Sequence, residues 1–81
     1  MPVTSAQIRM ARAALNWTVR DLAEATGLHR NTINNIEVGR YAGDPVSLAV
    51  IETVLTRAGV EFTNGNRPGV RLRKGRFKSE S

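Results

Sequence analysis

Leu22-Ala23-Glu24-Ala25-Thr26-Gly27-Leu28-His29-Arg30-Asn31-Thr32-Ile33-Asn34-Asn35-Ile36-Glu37-Val38-Gly39 is the stretch whose reading decides the fold. Leu22 and Ala23 turn inward on a short helix that ends at Gly27, the residue type best suited to a left-handed C-terminal position. One or two residues later a second helical pattern begins and runs to Gly39. Two short helices joined by so tight a glycine-containing turn predict a helix-turn-helix. Upstream, Thr18 is the expected cap of the first helix, with Asp21 three residues on as the acidic half of a capping box.

The second helix of the pair divides into two faces. Ile33, Ile36 and Glu37 recur at i, i+3, i+4 and point inward. Asn31, Asn35 and Val38 lie opposite, with Asn34 on their flank and Arg30 in the first turn. An asparagine amide carries a donor beside an acceptor, which matches adenine N6 and N7, and arginine offers a fork for guanine O6 and N7. The same face also reads as a solvated polar surface, but the tight turn before it favours a recognition helix over about residues 29–38. His29 sits where a cap belongs, so capping competes with a phosphate or base-edge contact. As the chain's single histidine it is no basis for a metal site or a catalyst.

Working outward, Met1–Thr4 reads as an arm, and Ser5 as the cap of a first helix with Ile8, Ala11 and Leu15 on one face. Arg12 falls on that apolar face and Glu37 on the apolar face of the recognition helix. A charge in such a setting calls for a partner or snorkels to solvent. Trp17, beside a helix junction, reads as core. After a loop over Tyr41–Asp44, Asp44 caps a helix that starts at Pro45 and stops at Gly59. Its apolar residues (Val46, Leu48, Val50, Ile51, Val54, Leu55, Ala58) span roughly 200°, twice the usual stripe of a surface helix. The alternating Val60–Thr63 and Val70–Arg73, with the turn dipeptide Asn64-Gly65 between, predict a hairpin. Val60, Phe62, Val70 and Leu72 are expected to face that helix, with Glu61, Arg71 and Arg73 outward. Residues 74–81 read as a basic disordered tail, in which Phe77 has no assigned role.

Composition narrows the function. The 81 residues predict one domain, with no cysteine for a disulfide framework or a cysteine-based zinc site. The longest apolar run is four residues, Leu48–Ile51, too short for a signal peptide or a membrane span. No constellation of nucleophile and base is visible, so no catalytic residue, cofactor, metal or small-molecule ligand is expected. Residues 1–66 balance six arginines against six acids, whereas Arg67, Arg71, Arg73, Lys74, Arg76 and Lys78 face Glu80 alone and carry the net charge of +5. That split suggests a folded reader with an electrostatic appendage, or simply a solvated tail.

The motif LAxxxG at Leu22–Gly27, followed by Ile33 and by Ile36-Glu37-Val38-Gly39, and approached by Asn16-Trp17-Thr18, resembles the lambda-repressor-like helix-turn-helix family of the Cro/repressor or XRE type. The similarity covers about residues 5–59, and Gly59–Phe62 through Pro68–Arg73 resembles the tail of small bacterial members. The resemblance implies an all-α domain of four to five helices over 1–59 with an appended hairpin over 60–73. It implies a DNA-binding regulator, usually dimeric and cytoplasmic, working on a pseudo-palindromic operator in double-stranded DNA. The family's base-reading positions fall on Arg30, Asn31 and Asn35, with His29 and Asn34 beside them. Phosphate contacts are expected from Thr18, Thr32, Arg40 and Tyr41. Two positions depart from the pattern, because Val19 stands where the family often has a phosphate-binding glutamine and Val38 where it often has a polar residue. Members also pair an arginine of the first helix with the glutamate of the motif, here Arg12 with Glu37, which agrees with the two isolated charges. The expected dimer interface is Val50, Val54, Val60, Phe62, Val70 and Leu72. A repressor that controls its own gene is one expectation. The alternative is a protein-interaction module, such as an antitoxin or an adaptor, with a protein partner and secondary DNA binding.

Overall fold

The computed structural model describes residues 3–64 and 66–73. Four helices, α1 (Ser5–Ala14), α2 (Val19–Thr26), α3 (Arg30–Glu37) and α4 (Pro45–Arg57), precede a hairpin of β1 (Val60–Thr63) and β2 (Gly69–Leu72). The expected tail over 74–81, Phe77 and Gly65 of the turn dipeptide lie outside the described residues.

Local sequence sets the ends of the helices. Thr18 and Asp21 form a reciprocal capping box at the start of α2, with bonds of 2.9 and 3.0 Å. Gly27 closes α2 at φ 78°, a conformation that a Cβ strongly disfavours, so the chain turns straight into α3. Asp44 caps α4, its carboxylate accepting from the Ser47 amide, and Pro45 follows at the first position. Hydrogen bonding from Ser47 holds the Asp44 carboxyl below the usual carboxylate range, outweighing the opposing desolvation. Because the folded-state value is depressed, the cap stabilises α4 above the unfolded value of about 3.9 and fades as pH falls through the lower folded value. Asp44→Asn caps without titrating, so thermal melts between about pH 2 and 6 should show a smaller acid loss in the variant. An equal acid loss in both proteins would remove Asp44 from the account.

The start of α1 differs from the sequence expectation. Thr4, not Ser5, is the cap, because Gln7 three residues on completes a capping box with it. Ser5 becomes the first helical residue and sends its hydroxyl to Ile36 O at 2.6 Å. The supposed arm is anchored as well, since Val3 is buried in the core.

That core is one cluster of Val3, Ile8, Ala11, Leu22, Ala23, Ile33, Ile36, Ile51, Leu55 and Val60. Each fully buried Ile or Leu contributes about 1.5–3 kcal/mol, more than a helix cap at about 1 kcal/mol, so packing rather than capping sets the helix arrangement. Trp17 and Val19 pack partly buried against the cluster. The loop into α4 is pinned at Gly43 (φ 86°), where a Cβ would come within 3.2 Å of both Ile36 and Leu48.

The hairpin has the alternation expected of it. Val60 pairs with Leu72, Glu61 with Arg71, Phe62 with Val70 and Thr63 with Gly69. Glu61 and Arg71 are exposed and form an ion pair at 3.3 Å. Its seat is not the expected one, however. β1 packs on α4, while β2 packs chiefly on α1. The buried Gln7 side chain fixes this placement by donating to Thr63 O at 2.8 Å and Gly69 O at 3.1 Å. The dimer interface expected of Val60 is therefore corrected: Val60 is 0% exposed inside its own chain. Phe62, Val70 and Leu72 pack against the same core but are only partly buried.

Candidate nucleic-acid interface

The eight-residue α3 buries Ile33, Ile36 and Glu37 and leaves Arg30, Asn31 and Asn34 exposed, with Thr32 and Asn35 half-buried. Val38, just past the helix, is 56% exposed. A polar face so short can read a partner only if its helix is held rigidly, and the structure shows how it is held.

All four C-terminal carbonyls of α3 are used. Asn34 O accepts from Val38 N, Asn35 O from Arg40 N and Tyr41 N, and Ile36 O from Gly39 N. The side chains of α1 supply the rest, with the Ser5 hydroxyl on Ile36 O and Arg9 Nη1 on Glu37 O. Arg9 also sets a positive charge against the negative end of the helix. One turn on, Arg12 grips Glu37 through two bonds of 2.9 Å, Nε to Oε2 and Nη2 to Oε1, and donates Nη1 to Trp17 O at 3.0 Å. The Glu37 side chain is 5% exposed and that of Arg12 23%. Hydrogen bonding to Glu37, with its Coulombic attraction, raises the Arg12 pKa against the pull of desolvation, so the guanidinium stays charged. Ser5, Arg9 and Arg12 recur at i, i+4, i+7 and thus form one face of α1 that clamps the end of α3. The sequence reading found Arg12 but missed Ser5 and Arg9. Their spacing was the available signal, but their partners are backbone atoms 31 and 28 residues away.

At the other end of α3, His29 Nδ1 accepts from Asn31 N at 3.1 Å, so capping is what this ring does in the folded chain. The ring remains exposed. The turn from α2 leaves a concavity lined by Arg20, Gly27, His29 and Arg30. Arg20, which the sequence reading did not single out, stands there with Glu24 at 3.9 Å.

The remaining candidates are brought together only in part. Arg40 Nη1 donates to Asn35 Oδ1 at 3.4 Å, and Tyr41 lies exposed beside Arg40. Thr18 is exposed at the start of α2 with its hydroxyl oxygen accepting from Asp21 N. Among the described residues neither Thr18 nor Thr32 hydrogen-bonds to the other candidates. On α4, Val50 and Val54 line an apolar groove with Pro45, Val46, Ala49 and Thr53, and Val46 is 71% exposed. This groove is the half of the wide apolar arc that the hairpin does not cover. Among the described residues no helix is long and apolar enough to cross a membrane.

A helix-turn-helix family model matches residues 8–55, from the inner face of α1 to the end of the α4 core positions. No curated protein matches the chain.

Proposed function

The chain belongs to the lambda-repressor-like helix-turn-helix family, a family of DNA-binding regulators, and on that premise we propose that it is a homodimeric repressor of its own gene. In this reading two copies of α3 enter successive major grooves about 34 Å apart on a pseudo-palindromic operator. Arg30, Asn31 and Asn35 read base edges, with Asn34 and His29 at the margin. Thr18, Thr32, Arg40 and Tyr41 hold the backbone. The protein acts in the cytoplasm, on the DNA of the nucleoid.

One observation carries this reading. A short helix with an outward face of Arg30, Asn31 and Asn34 is clamped by three α1 side chains, one of them through an ion pair. A merely solvated face has no need of such rigidity, whereas reading a groove does. The apolar groove on α4 supports self-association. A different chain seated in that groove would make the protein an interaction module instead.

Footprinting on DNA upstream of its own gene, at about 150 mM salt with excess competitor, tests the proposal. Two protected half-sites about one helical turn apart are expected. Asn35→Ala should lose about 1–3 kcal/mol of discrimination at one base pair per half-site. Weak protection everywhere that vanishes steeply with salt would defeat the proposal.

A further inference from the structure

The outer face of α4 carries apolar residues where a surface helix ordinarily carries polar ones. Ile51 and Leu55 turn to the core, whereas Val46, Ala49, Thr53 and Arg57 are exposed, with Val50 half-buried beside them. These residues line the groove of the helix. Val46 and Thr53 stand seven residues apart, as do Val50 and Arg57. That heptad spacing keeps two helices in contact along their length when they cross at about 20°.

The stripe ends in opposite charges, Asp44 at its N-terminal end and Arg57 at its C-terminal end, both exposed. Oδ2 of Asp44 accepts from the Ser47 amide, and a carboxylate has acceptor positions beyond that one. Such a stripe is complementary to itself in one direction only. Two copies paired in parallel about a two-fold axis set Arg57 against Arg57 and Asp44 against Asp44. Paired antiparallel about an axis just past Val50, they set Val46 against Val54 and Asp44 against Arg57, and each contact occurs twice. The charges then lie about 10 Å to either side of the axis, given a rise of 1.5 Å per residue. At a crossing of about 20° the two helices have parted there by only about 3.5 Å, within the reach of an arginine.

From this we infer that two chains pair through α4 in antiparallel register about a two-fold axis just past Val50, with Asp44 of each chain ion-paired to Arg57 of the other. The inference rests on the homodimer reading and adds the orientation and register of the partner. Apolar contact drives the association, and the charged rim selects the orientation, because like charges set together at both ends disfavour the parallel pair.

Sedimentation equilibrium of the full chain tests this with the parent, Arg57→Glu, Asp44→Asn and the variant carrying both, each checked for folding by circular dichroism. Asparagine caps a helix as well as aspartate, so Asp44→Asn removes the charge and keeps the start of α4. Arg57→Glu should weaken dimerisation about tenfold or more at low salt, because it turns two attractions into two repulsions. With Asp44→Asn also present, the same substitution should lose most of that effect. In a parallel pair Arg57→Glu exchanges one like-charge contact for another, so a dimer as tight as the parent's overturns the inference. So does a loss that persists undiminished beside Asp44→Asn. If Val50→Asp dissociates the dimer while Arg57→Glu does not, α4 remains the interface and only the orientation fails. A parent that stays monomeric in free solution also overturns the inference, and the number of chains on a complete operator then decides the homodimer reading.

Discussion

Glu37→Ala lowers the melting temperature by about 12–24 °C, as read by circular dichroism or calorimetry. Breaking a buried ion pair by deleting one partner costs about 3–5 kcal/mol, because the surviving charge is left in a poor solvent. Arg12 retains 23% side-chain exposure, so water can reach part of its guanidinium, and the low end of that range, about 3 kcal/mol, applies. In a domain of this size each kcal/mol moves the midpoint by about 4–8 °C. The carbonyl of residue 37 survives the substitution, so Arg9 keeps its partner and the loss belongs to the carboxylate. The double variant Arg12→Met, Glu37→Leu separates charge from packing. It removes both ions together and should recover most of the loss, short of the bond from Arg12 to Trp17 O, because apolar replacement of a whole buried pair is often neutral. A melting temperature unchanged in Glu37→Ala, or a double variant as unstable as the single, would refute this account.

The legibility of this pair in the sequence shows where such reading succeeds. A charge on the apolar face of a helix is a local anomaly, and Arg12 and Glu37 each betray themselves by helical spacing alone. The αL glycine, the Thr18–Asp21 box and the Asp44-Pro45 start are equally local, and each is where spacing puts it. Ambiguity enters when two neighbours suit one role. Thr4 and Ser5 can both cap a helix, and the deciding residue is Gln7, whose place at N3 completes a box with Thr4 only. The failures lie at long range. The pleat of the hairpin is a period-two signal, but the helix it rests on depends on Gln7 reaching carbonyls 56 and 62 residues away, which no periodicity encodes. For the same reason Val60 could be assigned to an interface: alternation shows that it faces something apolar, not that the apolar partner is its own core. The outward face of α3 was legible as a set of residue types. The bond from Arg40 to the Asn35 oxygen was not, because it depends on how the chain turns after Gly39.

The uncovered half of α4 carries the other large effect. Val50→Asp should weaken binding to a complete operator by about 10²–10⁴-fold while leaving the affinity for an isolated half-site unchanged. Two linked readers gain that factor from effective concentration alone, with no new contact to the DNA, and a variant that cannot pair forfeits all of it. In a two-fold dimer one substitution enters the interface twice, so a carboxylate on this face costs two desolvations. Val50 suits the test because it is half-buried in the groove and lies outside the core cluster, so the folded chain tolerates a polar group there. Circular dichroism and an unchanged half-site affinity check that the variant folds. Val60→Asp makes the contrast, since a carboxylate forced into a site with 0% exposure should unfold the chain and abolish both affinities together. Sedimentation of the parent and Val50→Asp, each with full-site and half-site DNA, then locates the interface. Two chains per full site for a folded Val50→Asp protein, bound as tightly as the parent, would place the dimer contact elsewhere. A single parent chain per full site would make the α4 groove a seat for a different protein, and the regulator an interaction module.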